Sequence, residues 1–188
     1  ESLDSLAFEA VQCQYHDKTE PLLRDCSFSL LKGEKLLILG ATGAGKSSIA
    51  NMIVGLIPPH SGRILVNGTD LDLLDQTSIR DQIGYVPQEP VLFGGTISKN
   101  IRFAAVDMSE TEYKTAMQTS QLEAEIDAFP QLDETVVGSR GLGVSGGQKQ
   151  RITIARALIR RPQRLILDDI TASLDAENEE KLWQGIAE

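Results

Sequence analysis

The 188-residue sequence has few cysteines, few aromatic residues and no long hydrophobic run. Its two cysteines are too few for a disulfide framework or a thiolate zinc site, so we expect the reduced thiols of a cytosolic domain. The longest apolar runs, such as the one from Leu36 to Leu39, are far too short to cross a bilayer. These features favour a soluble globular chain.

Positive charge is also scarce, because 18 lysines and arginines stand against 27 aspartates and glutamates, for a net charge of −9. Such an acidic chain has no general field that would attract phosphate backbones, which disfavours broad nucleic-acid binding. A local anion site remains compatible with this charge. Hydrophobic residues make up 41% of the chain, enough to fill the core of a single domain of this length.

The spacing of apolar residues predicts an α/β chain, with strands at the front, helices in the middle and strand–helix units at both ends. The Asn67-Gly68 pair indicates a hairpin turn. Apolar runs such as residues 35–39 are typical of strands buried on both faces of a parallel sheet. The predicted strands are residues 6–15, 26–31, 35–39, 63–66, 83–86 and 165–167, and the predicted helices are residues 47–57, most of 96–129, and 148–159.

The stretch from Gly40 to Ser47 has the spacing G-x-x-x-x-G-K-S between a predicted strand and a predicted helix. Its glycines let the backbone curl so that successive N–H groups face phosphate oxygens, and the helix adds its positive dipole end. Lys46 places a positive charge at the β- and γ-phosphates, and the hydroxyl of Ser47 can ligate Mg²⁺. The loop therefore predicts a nucleoside triphosphate site.

A second glycine-containing segment, Ser145-Gly146-Gly147-Gln148, lies at the start of the last of these predicted helices. It has two interpretations. The serine can be an ordinary N-cap that accepts from backbone N–H groups of its own helix. Alternatively, the glycines and the helix N-terminus form a second anion site.

Together, these motifs resemble those of the nucleotide-binding domain of ATP-binding cassette (ABC) transporters, in the family's order and over nearly the whole chain. GATGAGKSS resembles the Walker A motif, and Gln88 in YVPQEPVLF resembles the Q-loop residue. VSGGQ resembles the signature motif, LILDD the Walker B strand, and SLDA at 173–176 the D-loop. LFGGTISKNI and TVVGSRG resemble the exporter branch of the family.

The resemblance implies a P-loop NTPase (RecA-like) core with a mixed parallel sheet, an N-terminal antiparallel β subdomain and a helical subdomain. All of these would belong to one ABC ATPase domain covering residues 1–188. The predicted parts are residues 1–35 and 60–80 for the β subdomain, 36–58, 81–92 and 155–188 for the core, and 93–154 for the helical subdomain with the signature motif. The resemblance also leads us to expect that the family's final strand and switch histidine lie beyond this sequence, since His16 and His60 both precede the Walker B strand.

The resemblance implies ATP and Mg²⁺ as ligands and assigns residues to each. The nucleotide-binding assignments are Tyr15, Gly40, Thr42, Gly43, Ala44, Gly45, Lys46, Ser47, Ser48, Ser145, Gly146, Gly147 and Gln148. The metal assignments are Ser47, Gln88 and Asp168, and the catalytic assignments are Lys46, Gln88 and Asp169.

Some of these side chains have an alternative interpretation. Tyr15 is expected to stack on adenine, but it could also be a strand aromatic that packs in the core. Arg151 and Arg156 follow the signature motif, and we expect them on a solvated helix face.

The sequence departs from the family at Asp169, where the family usually has glutamate. The shorter side chain withdraws the carboxylate by about 1 Å, and a misplacement on this scale can cost ~10²-fold in rate. Two interpretations remain open: the carboxylate acts through a second water, or the site binds ATP and hydrolyses it poorly. Because the signature motif is nearly standard, with Val144 for the usual leucine, we hypothesise a heterodimer in which VSGGQ serves the partner's site.

The resemblance further implies partners and a location. Two nucleotide-binding domains would pair head to tail around two ATP molecules, as a homo- or heterodimer. A transmembrane permease domain would be fused on the N-terminal side, at the cytoplasmic face of an inner or plasma membrane. Two alternatives are a non-hydrolysing regulatory subunit and a non-transport ATPase of the DNA-repair or chromosome type. The DNA-repair and chromosome ATPases separate their two motif halves by long coiled coils, whereas Ser47 and Ser145 are close in sequence here, which disfavours this alternative. The acidic charge disfavours it as well.

Overall fold

The computed structural model describes residues 2–15, 20–105, 107–138, 143–170 and 176–187. The chain divides into two compact units, Glu1–Ile83 and Gly84–Glu188. Among the described residues, no helix is both long and apolar enough to cross a membrane.

The first unit is built on a four-stranded antiparallel sheet with the order β2-β1-β3-β4. The strands are β1 (Ser5–Cys13), β2 (Leu23–Leu31), β3 (Ser61–Val66) and β4 (Thr69–Asp70). The predicted hairpin is confirmed, because Asn67 (φ 51°) and Gly68 (φ 79°) form the two-residue turn between β3 and β4. The antiparallel N-terminal sheet predicted from the sequence is therefore present.

The core of the first unit lies where the sheet meets helix α1 (Lys46–Ile53). Phe8 of β1 stacks on Phe28 of β2 with ring centroids 4.5 Å apart. Met52 of α1 is fully buried in the same cluster. A second helix, α2 (Gln76–Arg80), closes this unit, and Arg80 donates to the carbonyl oxygens of Val54 and Gly55 just after α1 ends.

The prediction of a buried strand at residues 35–39 is wrong for this structure. These residues have no regular secondary structure, and the side chains of Leu37 and Leu39 are 78% and 81% exposed. An apolar strand becomes buried only when neighbouring strands pair with it, and no sheet among the described residues includes this segment. The segment leads instead as irregular chain into the glycine-rich loop.

The second unit combines helices with two small two-stranded sheets. Its helices are α3 (Ile97–Ile101), α4 (Glu110–Thr119), α5 (Glu123–Ile126), α6 (Gly146–Leu158) and α7 (Ala176–Ala187). Its strands are β5 (Ile83–Val86), β6 (Gly95–Thr96), β7 (Val136–Val137) and β8 (Arg164–Leu167). β5 begins on the last residue of the first unit and pairs with β8, whereas β6 pairs with β7.

Helix α6 lies between two hydrophobic clusters of the second unit. Ile152 and Ile159 face a cluster that includes α3 and α4, whereas Ile154 packs with Val86 and Leu182. The predicted strands at 83–86 and 165–167 and the predicted helix at 148–159 are confirmed within two residues. The predicted helical region at 96–129 is divided into three shorter helices. These contacts hold the middle and the end of α6, and the signature-like motif lies at its start.

Candidate functional site

The glycine-rich loop ends where α1 begins, at Gly45 in the left-handed conformation (φ 95°). No side chain caps this helix, so its first N–H groups have no side-chain acceptor. A Cβ on Gly45 would lie 2.9 Å from Leu23 Cδ2, so both the backbone and the available space require glycine. An uncapped helix N-terminus beside a curled loop is a place where an anion can bind.

Lys46 brings positive charge to this loop. Its Nζ donates to the carbonyl oxygens of Gly40 (2.7 Å) and Ala41 (2.9 Å). The loop is further closed by a hydrogen bond from the N–H of Ala44 to the carbonyl oxygen of Ala41. The ammonium group therefore lies against the start of the loop, and its role at the β- and γ-phosphates stays a prediction.

The remaining predicted residues of this loop differ in exposure. Thr42, Gly43 and Ala44 are exposed, Ser47 is half-buried and Ser48 is buried. Gly43 is also left-handed, with φ 81°, which a side chain would disfavour. The exposed residues form the rim of the loop, and the two serines lie in the first turn of α1.

Tyr15 lies next to this loop in the first unit. Its hydroxyl is 3.0 Å from Oγ of Ser48, and its side chain is 41% exposed. A strand aromatic packed in the core would be buried, so that alternative does not fit. Stacking on adenine stays a prediction, and the structure brings the ring and the loop together. The contact with Ser48 could not be predicted from the sequence pattern.

In the second unit, Gln88 and Asp169 are in direct contact. Nε2 of Gln88 donates to Oδ2 of Asp169 over 3.0 Å, and both side chains are exposed. Asp169 has φ 49°, a left-handed conformation that aspartate tolerates better than most residues. The amide of Gln88 thus contacts the carboxylate at the position where the resemblance leads us to expect glutamate.

Asp168 follows β8 directly and is only 9% exposed. Its N–H donates to the carbonyl oxygen of Val86 on β5 (3.0 Å). Burial raises the pKa of the neighbouring Tyr85, and the negative charge of Asp168 raises it further. The structure therefore places a buried carboxylate at the end of the strand, next to the Gln88–Asp169 pair in sequence.

The oxygen donors predicted for Mg²⁺ fit this ion chemically, because a hydroxyl, an amide oxygen and a carboxylate are the hard ligands that it prefers. Gln88 donates from its amide nitrogen to Asp169, a bond that does not involve its amide oxygen. No group of three or more His, Cys, Asp and Glu residues in the described part of the chain could hold a metal ion by itself.

Ser145 is the N-cap of α6, as the first interpretation of this segment predicted. Its Oγ accepts from the N–H of Gln148 (3.1 Å), and its N–H donates to Oε1 of Gln148 (3.0 Å). In this capping box the Ser145 hydroxyl accepts from the N–H of the third helical residue and not from the N–H groups of Gly146 and Gly147. A Cβ on Gly146 would meet nothing within 4 Å. The helix start is therefore open, and the second interpretation remains compatible with the cap.

Three sequence predictions fall wholly or partly outside the described residues. They concern the D-loop at 173–175, the end of the TVVGSRG stretch at 139–141, and His16.

The expectation that Arg151 and Arg156 lie on a solvated helix face is wrong. Arg151 forms an ion pair with Glu125 and is only 7% exposed on its side chain. Arg156 donates to the carbonyl oxygens of Val91 and Asn100 and to Oδ1 of Asn100. Both arginines face neighbouring segments because α6 is packed on two sides.

Asn100 joins this network and was missed in the sequence. Its amide nitrogen donates to the carbonyl oxygens of Phe93 and Thr96, and its Oδ1 accepts from the N–H of Phe93. Three of the five residues of α3 are polar, so the sequence does not distinguish the buried Asn100 from its neighbours. Asn100 and Arg156 together hold the segment that follows Gln88.

This segment carries an exposed apolar surface. Phe93 stacks on Phe103 with centroids 4.3 Å apart, and the guanidinium of Arg156 lies 4.9 Å from the ring centre of Phe93. Val91, Phe93 and Phe103 are all exposed although they are large and hydrophobic. We call these three residues the apolar patch.

Comparisons with known proteins agree with the motifs. The family described as "ABC transporter" matches residues 23–172. The chain is 43% identical over 182 residues to YfiB of Bacillus subtilis, described as an uncharacterized ABC transporter ATP-binding protein, and covers 32% of that protein. It is 39% identical over 181 residues to the mitochondrial iron-sulfur clusters transporter ATM1 of Saccharomyces cerevisiae, and covers 26% of it.

A solved structure of a bacterial Atm1-family ABC exporter with ATP bound has a TM-score of 0.90 to this chain at 37% identity. The match covers 98% of this chain and 33% of that one. The chain thus spans about a third or less of the length of these relatives, and it is similar to the ATP-binding part of exporters.

Proposed function

Because this chain belongs to the ABC transporter family and is a nucleotide-binding domain of the exporter type, we propose that it binds and hydrolyses ATP to drive export through a membrane domain. ABC domains bind ATP and are generally ATPases. The observation that carries the proposal is the uncapped start of α1, with Lys46 held against the loop. The exporter assignment rests on the relatives.

The residues of the first unit would bind the nucleotide from its base to its phosphates. The N–H groups at the start of α1 and the ammonium of Lys46 would contact the phosphates, since both supply positive charge at one point. The half-exposed ring of Tyr15 would stack on the adenine. Mg²⁺, for which Ser47, Gln88 and Asp168 are the assigned ligands, would offset phosphate charge when bound.

Asp169 and Gln88 would act on the attacking water. The carboxylate of Asp169 would accept the water proton, and Gln88 would keep that carboxylate in place through the 3.0 Å hydrogen bond. Because aspartate is one methylene shorter than glutamate, its oxygen lies farther from the water. We therefore propose that this site turns over slowly.

The start of α6 would serve the ATP of a second domain. The N–H groups of Gly146 and Gly147 are not served by the Ser145 cap, so they can contact phosphate oxygens presented by a partner. Two domains would then pair head to tail around two nucleotides. Slow turnover at Asp169 together with a functional signature motif favours a heterodimer over a homodimer.

The membrane domain would contact the apolar patch. Exposed aromatic side chains held by a hydrogen-bonded network are typical of a protein interface. The relatives are several times longer than this chain, which leaves room for such a domain in them. Because such a membrane domain would hold the chain beside it, we propose that the chain lies at the cytoplasmic face of a membrane. The comparisons do not favour a regulatory subunit or a DNA-repair ATPase.

Steady-state ATP hydrolysis of the protein and of three variants tests the proposal. Lys46→Ala should abolish turnover, whereas Lys114→Ala, which removes an exposed lysine of α4, should leave it unchanged. Asp169→Glu should raise turnover by about ten-fold or more, because it restores the reach of the carboxylate.

Two results would count against the proposal. Rapid turnover that Lys46→Ala leaves intact would remove the glycine-rich loop from the reaction. Rapid turnover that Asp169→Glu does not raise would show that aspartate is an adequate base, and the slow-site and heterodimer proposals would fail while the ATPase proposal stood.

A further inference from the structure

The hydroxyl of Tyr15 contacts α1, the helix that follows the phosphate loop. Its oxygen lies 3.0 Å from Oγ of Ser48, the third residue of α1. The backbone just before Tyr15 is also fixed, because the N–H of Leu22 donates to the carbonyl oxygen of Cys13 over 2.7 Å. The tyrosine is therefore held at its hydroxyl, and the chain two residues before it is hydrogen-bonded, while its ring remains 41% exposed.

The side chain of Ser48 forms hydrogen bonds with other side chains of the protein. Its side chain is buried, at 5% exposure, and it also forms a hydrogen bond with the thiol of Cys13, whose pKa burial raises. A serine hydroxyl has one donor and two acceptor positions, and two neighbours from the β1 end of the chain already use it. This explains why a serine, and not an apolar residue, lies at this buried position of α1.

We propose that Ser48 is a positioning residue for the base of the nucleotide, acting through the hydroxyl of Tyr15. The inference rests on the proposed ATP binding. It adds a role in positioning the base, whereas the rest of the phosphate loop would contact the phosphates. The hydrogen bond restricts the tyrosine ring to one orientation before the nucleotide arrives, so less conformational freedom is lost on binding. Phenylalanine at this position would keep the ring and lose the restraint.

A double-mutant cycle on the full-length protein tests this role. Binding of ATP and of inorganic tripolyphosphate is measured by titration calorimetry in EDTA, for wild type, Tyr15→Phe, Ser48→Ala and the double variant. Tripolyphosphate has no base, so it reports on the phosphate loop alone. Ser29→Ala, an exposed serine on β2, is the matched control and should bind both ligands as wild type does.

Tyr15→Phe should weaken ATP binding by about three- to ten-fold, the cost of ordering one side chain on binding, and leave tripolyphosphate binding unchanged. In the Ser48→Ala background the same change should have no further effect, because its hydrogen bond is already gone. If Ser48→Ala does not fold, Ser48→Cys replaces it, since a thiol fills the space and is a weak hydrogen-bonding group.

The inference is overturned if Tyr15→Phe leaves ATP binding unchanged, weakens it equally in both backgrounds, or weakens tripolyphosphate binding as much as ATP binding. These results leave the proposed function standing as long as wild type binds ATP. If wild type binds neither ligand, the proposed function fails first and this inference fails with it.

Discussion

Replacing Arg156 with alanine should destabilise the second unit by about 3 kcal/mol. The guanidinium of Arg156 donates from Nε to the carbonyl oxygen of Asn100 (2.8 Å) and from Nη2 to Oδ1 of Asn100 (2.7 Å). Its Nη1 donates to the carbonyl oxygen of Val91 (2.9 Å). These bonds join α6 to α3 and to the segment after Gln88.

The size of the effect follows from which acceptors water can reach. The bond to Val91 lies at the surface, so water can replace it at little cost. The two bonds to Asn100 are partly buried, and hydrogen bonds to a charged group contribute about 1.5 kcal/mol or more each. Their sum of about 3 kcal/mol is a central value, since neighbouring bonds do not add independently.

Urea unfolding followed by the fluorescence of Trp183 measures this effect. Trp183 is the chain's one tryptophan and lies on α7 in the same unit. The control is Arg161→Ala, because Arg161 is 69% exposed, forms a 3.6 Å pair with Glu112, and should contribute less than about 1 kcal/mol. The reasoning is refuted if Arg156→Ala lowers the free energy of unfolding no more than Arg161→Ala does.

Two further predictions concern local structure. Gly45→Ala should weaken ATP binding and cost about 1–3 kcal/mol of stability, because a Cβ there approaches Leu23 and the left-handed φ is unfavourable. Gly95→Ala, where a Cβ would meet only Lys99 at an ordinary contact distance of 3.8 Å, is the control in the same melting and titration assays. The hydroxyl of Ser109 holds the pKa of Glu112 below its ordinary value. The Glu112 carboxylate therefore stabilises the folded protein above its unfolded-state pKa, and this stabilisation is lost as the pH falls through its folded-state pKa. Glu112→Gln should therefore lose less stability than wild type when urea midpoints at pH 7 are compared with those below about pH 4.

Local features were predictable from the sequence where a few adjacent residues determine the backbone. The Asn67-Gly68 turn and the glycine-rich loop depend on left-handed conformations that the residue types themselves favour. The N-cap role of Ser145 likewise depends on a serine directly before the helix and its nearest backbone N–H groups. The structure contains all three of these features.

Features that depend on distant segments were not predictable in this way. Residues 35–39 have the composition of a buried strand, but burial requires partner strands that composition does not specify. Arg156 is charged and was expected in solvent, yet Asn100 and Phe93 supply the contacts that bury it. The bond between Tyr15 and Ser48 joins residues from different elements, and no spacing rule indicates it.

The central claim is that the loop from Gly40 to Ser48 binds ATP through Lys46, and equilibrium binding tests it most directly. Titration calorimetry of ATP into wild type, Lys46→Ala and Lys114→Ala compares removal of the loop's lysine with removal of an exposed one. Wild type and Lys114→Ala should bind ATP equally, and Lys46→Ala should bind it about ten-fold or more weakly, because a charged hydrogen-bond donor is lost. ATP binding that is absent from wild type, or equal in Lys46→Ala, would contradict the account.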